Sequence, residues 1–194
     1  MKKLGLILAA TLLPLVANAE TIQTFSPRAA TNGTATLTRE ASLYRININA
    51  EGLVPGHAYT LIVATWNNPP SCKLTTFPAC DFTVDSAGLG GNPFATPTLM
   101  FLTGGRAGPS GAVTFNGKVE KGAVGLTGRQ VYEGTGTYNM AGAHVQVLIR
   151  DMDTAGKGGV DVFKQVSDIY AGCSGSGGTG TNSCGPVQIV TFVP

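Results

Sequence analysis

The chain has 194 residues, with 13 Lys and Arg against 11 Asp and Glu and a formal net charge of +2. Two of the lysines lie in an N-terminal leader segment, so the remainder balances 11 basic against 11 acidic residues, which excludes the basic excess needed for nucleic acid or an anionic membrane surface. Charged residues make up only 12 % beside 27 Gly and 11 Pro, a composition of turn-rich extracellular β-structure rather than of a helical cytosolic enzyme.

The first 19 residues read as a signal peptide. Lys2 and Lys3 form a short positive region, Leu4 to Val16 is apolar, and Ala17-Asn18-Ala19 places small residues where signal peptidase needs them. The apolar run falls short of the roughly 20 residues a membrane helix requires. Residue 20 is Glu rather than Cys, which argues against lipid attachment. The expected domains are therefore a signal peptide over 1–19 and one β-domain over 20–194, secreted or periplasmic and not membrane-spanning after signal removal.

Strands follow in order. Thr34 to Arg39 is the first. Leu43 to Ala50 alternates cleanly, with Tyr44, Ile46, Ile48 and Ala50 on one face, the mark of a half-buried strand. Leu53-Val54-Pro55-Gly56 is a tight turn feeding an apolar strand from Tyr59 to Trp66. Leu99 to Leu102 and Ala112 to Phe115 are short strands, and a hairpin is expected around Glu133 to Tyr138. In Ala143 to Arg150 the phase sets Ala143, Val145, Val147 and Ile149 inward and His144, Gln146, Leu148 and Arg150 outward. Val160 to Ile169 suits a strand or a short helix, and Val187 to Val193 is a closing, central strand. This pattern predicts an all-β protein, a single Greek-key β-sandwich of immunoglobulin-like or related kind, with a closed β-barrel as the alternative.

Cys72, Cys80, Cys173 and Cys184 are an even set in an exported chain and read as disulfides. Of three pairings the two local ones are preferred, because each closes a Pro- or Gly-rich loop. A Cys₄ zinc site needs much closer pairs than the seven and ten intervening residues found here.

Gly52-Leu53-Val54-Pro55-Gly56-His57-Ala58-Tyr59-Thr60, then Asn67-Asn68-Pro69-Pro70-Ser71-Cys72, resembles a group of exported prokaryotic proteins with a GLxPGHAYT…NNPxxC pattern. Gly172-Cys173 and Cys184-Gly185-Pro186-Val187-Gln188 are similar to that group's C-terminal motif. The resemblance covers roughly residues 43–192 and implies an exported, disulfide-bonded β-protein, without a mechanism. Asp151-Met152-Asp153 departs from the His-Gly-Pro of the group, which puts any shared role of that position in doubt. The Gly-Leu-x-Pro-Gly turn is also similar to motifs of chordin-type and superoxide-dismutase-like sandwiches. Two histidines are too few for a copper/zinc dismutase.

No catalytic constellation stands out, and no G-x-S-x-G elbow is present. His57 is a candidate binding residue, although a histidine after a turn more commonly serves structure. Asp151 and Asp153, with Asp161 beyond, form a candidate calcium loop. Ala155 at the third ligand position and the lack of an acid at the twelfth rule out an EF-hand. Asp81 and Asp85 carry the same two readings. Trp66, with Tyr44, Tyr59, Phe77 and Phe82, could offer a sugar-stacking face, against a default of core packing. No cofactor is expected beyond that calcium. The favoured function is a non-enzymatic binding or structural protein for a glycan or protein partner, and the alternative is a metal-dependent or hydrolytic extracellular enzyme.

Overall fold

The computed structural model describes residues 17–21, 23–24, 33–73, 80, 93–122, 131–134, 136–168, 171–175 and 178–194. Twelve strands run through them: β1 (Ala17–Thr21), β2 (Gln23–Thr24), β3 (Gly33–Arg39), β4 (Leu43–Ala50), β5 (His57–Trp66), β6 (Pro97–Arg106), β7 (Val113–Glu120), β8 (Val131–Gly134), β9 (His144–Thr154), β10 (Ser174–Gly175), β11 (Gly178–Thr179) and β12 (Gly185–Phe192). One sheet has the order β1-β3-β4-β7 and the other β2-β12-β9-β5-β6-β8, every pairing is antiparallel, and neither sheet closes on itself. The chain changes sheet between β4 and β5 and returns between β6 and β7, which makes a Greek-key sandwich rather than a meander.

Between the sheets lies one apolar core. Ala35 and Leu37 of β3, Tyr44, Ile46 and Ile48 of β4 and Phe115 of β7 face Tyr59, Leu61 and Val63 of β5, Val145, Val147 and Ile149 of β9, and Val190 and Phe192 of β12. The alternation read in 43–50 is therefore the pleat of a strand with one face in water. β5 departs from it because its other face is covered too. Ile62, Ala64 and Trp66 pack with Leu99, Phe101, Leu148, Ala95 and Cys80. Ala58 packs with Met152 and Cys173, flanked by Val166 of the segment after a short helix α1 (Val162–Gln165). A strand buried on both sides has no reason to alternate.

The two disulfides are the local ones, Cys72–Cys80 and Cys173–Cys184, and each sits in one of these outer caps. Capping also corrects the outward reading of β9: His144 is 1 % exposed, Gln146 0 % and Leu148 is buried. Gly104 lets the cap settle, since a Cβ there would collide with the backbone carbonyls of Val166 and Tyr59.

Two further expectations change. β12 pairs along its length with β9 but with β2 only at Gln188 and Ile189, so it lies near an edge rather than at the centre. β8 pairs with β6, and 136–139 form no strand, so no hairpin spans Glu133 to Tyr138. β1 pairs with β3 from Ala17 to Thr21, so the backbone of three residues assigned to the signal peptide joins the ladder. Phe77, Asp81, Phe82, Asp85 and Ile169 lie outside the described residues.

Candidate functional site

The turn before β5 starts the site. Gly56 takes φ +80°, a left-handed conformation that favours glycine, its N–H donates to Ala107 O, and its carbonyl accepts from Ala155 N–H. His57 then opens β5 in phase with Tyr59, Leu61 and Val63, on the inner face at the mouth of the core.

Opposite it, β9 contains a bulge. His57 pairs with Thr154, yet Tyr59 pairs with Asp151, so three steps on β9 face two on β5. Without the extra residue Tyr59 would oppose Met152, and β9 would turn an apolar side chain toward the site. The bulge re-aims the strand: Met152 packs in the outer cap, while Asp151 stays in phase with Ile149 on the inner face. Asp153 takes φ +72°, uncommon outside glycine and tolerated best by Asn and Asp.

His57 Nδ1 lies 3.0 Å from both carboxylate oxygens of Asp151. Asp151 Oδ1 also accepts from Asp153 N–H at 2.7 Å, and Oδ2 faces the Tyr59 hydroxyl at 3.5 Å. That hydroxyl accepts from Val54 N–H at 2.9 Å. The side chains of His57 and Asp151 remain 22 % and 16 % exposed, so the pair is shielded without being sealed. A carboxylate acceptor at Nδ1 requires the proton on that nitrogen, leaving Nε2 as an acceptor. Its nearest partner is Thr154 Oγ1 at 3.4 Å. Burial, and then the Asp151 charge, push the Tyr59 phenol well above its ordinary pKa, so it stays a neutral donor.

Asp153 is held differently. Desolvation pushes its carboxyl up, but the Lys157 ammonium at 2.5 Å and the N–H groups of Thr154 and Ser183 prevail, and the pKa sits at about 2. Behind it, buried Gln165 donates to Met152 O and Thr154 O and accepts from Gly156 N–H, while buried Asn182 donates to Met152 O. The bulge thus rests on two fully buried amides from chain segments far along the sequence.

Together Val54, His57, Tyr59, Asp151, Asp153, Ser183 and Val187 line a cavity of about 230 Å³. It offers one orientable imidazole, two carboxylates, hydroxyls and apolar walls, enough to recognise a small polar group or to move a proton at Nε2.

The expected calcium ligands Asp151, Asp153 and Asp161 each have protein partners in this structure. Asp151 is committed to His57, Asp153 to Lys157, and Asp161 caps α1 by accepting from Lys164 N–H at 2.9 Å. Among the described residues no group of three or more His, Cys, Asp or Glu is placed to hold a metal ion. Trp66 is 0 % exposed and meets His144 edge-on at 5.6 Å between ring centroids, so it has no face for a sugar. Among the described residues the exposed aromatics near that end are Phe94 and Tyr138. Asn68 holds the Phe94 carbonyl at 3.0 Å, and Asn67 accepts from Tyr138 N–H at 2.8 Å, which explains the paired asparagines after Trp66.

No family model matches the chain, and comparison with curated proteins and with solved structures finds none similar to it. Its two disulfides, in an all-β protein, are consistent with an oxidising compartment, and among the described residues no helix is long and apolar enough to cross a membrane.

Proposed function

We propose that the chain is exported, loses residues 1–19, and acts outside the cytoplasm as a non-enzymatic binding protein whose recognition site is the His57–Asp151 cavity. One observation carries the reading: a carboxylate fixes the imidazole at Nδ1, and both residues line a small, partly apolar cavity at the mouth of the core. The signal-like N-terminus and the two disulfides support export. Glycan and protein partners both remain within this reading.

The test is a thermal-shift panel of small polar molecules, sugars and peptides on oxidised protein beginning at Glu20, run beside His57→Ala. A ligand at about 100 times its Kd stabilises by about 2.7 kcal/mol, or on the order of 5–10 °C for this size. A shift in the parent protein that disappears in His57→Ala supports the reading. A panel without any His57-dependent shift contradicts it.

A hydrolytic enzyme is the second reading, favoured by the ordered series Asp151, His57 and Thr154 Oγ1. It requires turnover of an activated ester that His57→Ala abolishes, and it falls if the two proteins hydrolyse the ester at equal rates.

A further inference from the structure

We infer that the cavity takes an aliphatic chain ending in a cation, the side chain of a lysine or arginine in a peptide or a small molecule of the same chemistry. This rests on the reading of the cavity as a recognition site and specifies its ligand. Two carboxylates, Asp151 and Asp153, line the cavity, and among the described residues no Lys or Arg does. Lys157 neutralises one of them from outside, its side chain 46 % exposed, which leaves the Asp151 carboxylate with the His57 ring and the Asp153 N–H as its close partners. Arg106 approaches the turn at Gly56 without lining the cavity. An anionic guest is repelled by the Asp151 carboxylate and a neutral polar guest adds no opposite charge to it, whereas a cation does.

The apolar lining fixes the rest of the guest. Val54 stands 41 % exposed at the cavity, an isolated apolar side chain in water, with Val187 and the Tyr59 ring as further apolar surface. Methylene groups suit that surface, as the stems of Lys and Arg do when they lie along apolar walls with the charged head beyond. A volume of about 230 Å³ accommodates one such side chain.

The probes are the N-acetyl methylamides of lysine, arginine, norleucine and glutamate, titrated into oxidised protein beginning at Glu20. The readout is the His57 ring resonances, assigned with His57→Gln, since the chain has only two histidines. Saturable shifts are expected with the lysine or arginine amide and none with the other two. Asp153→Asn keeps a residue that accepts positive φ and should weaken binding about tenfold. Lys157→Ala, at an exposed position, should tighten it severalfold by freeing the Asp153 charge, and it keeps the test decisive if Asp153→Asn folds poorly. Equal binding of the norleucine or glutamate amide overturns the cation assignment while leaving the cavity reading in place. Weaker binding in Lys157→Ala overturns it too. Silence from all four probes, together with a panel lacking His57-dependent shifts, defeats both.

Discussion

Replacing Asp153 by Asn separates the charge of this residue from its backbone conformation. Asn tolerates φ +72° nearly as well as Asp, and its amide oxygen can still accept from Thr154 N–H, so the loss is the carboxylate's attraction for Lys157 and part of its bond to Ser183 N–H. The folded-state pKa of about 2 lies below the reference value of 3.8. A depressed acid contributes stability that is present above the unfolded pKa and lost as pH falls through the folded one. The window is therefore about pH 4 down to pH 2. By linkage the full shift corresponds to somewhat more than 2 kcal/mol, which solvent around exposed Lys157 reduces to about 1–2 kcal/mol. Urea denaturation at pH 7, 4, 3 and 2 measures it. The parent protein should exceed Asp153→Asn by that amount at pH 7, and the difference should vanish near pH 2. A difference that persists unchanged at pH 2 would show that the effect comes from packing or backbone strain rather than from the ionised carboxylate.

Two other outcomes follow from the same segment. Gln165→Leu roughly keeps the volume but removes the partner of Thr154 O and Gly156 N–H and leaves Met152 O to Asn182 alone, and the expected cost is about 2–4 kcal/mol, read as a lower urea midpoint with unchanged slope; a change under about 0.5 kcal/mol refutes the anchoring role. Because Asp151, Asp153 and Asp161 each have protein partners, calcium and EDTA should leave the melting temperature unchanged within about 1 °C, and a calcium-specific, EDTA-reversible rise of several degrees contradicts that assignment.

Much of the sandwich was legible because burial on one face writes a period of two into the chain. Leu43 to Ala50 matches β4 residue for residue, and the Pro- and Gly-rich loops marked the disulfide pairs. The reading weakened where both faces are buried. His144 and Gln146 look outward by phase, and only the caps, formed by residues distant in sequence, place them in the interior. The 3-10 turn at Pro69–Ser71 and helix α1 belong to those caps, whose packing leaves no local periodic signal.

The site was half visible. His57 shares the phase of Tyr59 and Leu61, and Asp151 continues the inward phase of Val145, Val147 and Ile149, so each is a polar residue at a core-phase position near a strand end. That coincidence is a signal for a site at the mouth of a core. What the sequence could not reveal is the bulge. A shift by one residue between β5 and β9 decides whether Asp151 or Met152 opposes Tyr59, and it depends on Gln165 and Asn182 gripping the loop. The calcium reading rested on spacing alone, which does not tell a ligand from a carboxylate bonded to His57 or Lys157.

The most direct test of the account is the nitrogen NMR spectrum of the His57 ring in oxidised protein at a pH where the imidazole is neutral. The geometry predicts the Nδ1–H tautomer, with the proton directed at Asp151, unprotonated Nε2 beside Thr154 Oγ1, and loss of this preference in Asp151→Ala. A dominant Nε2–H tautomer, or the same tautomer mixture in the parent and in Asp151→Ala, would mean that Asp151 does not orient His57, and the recognition site built on that pair would be wrong.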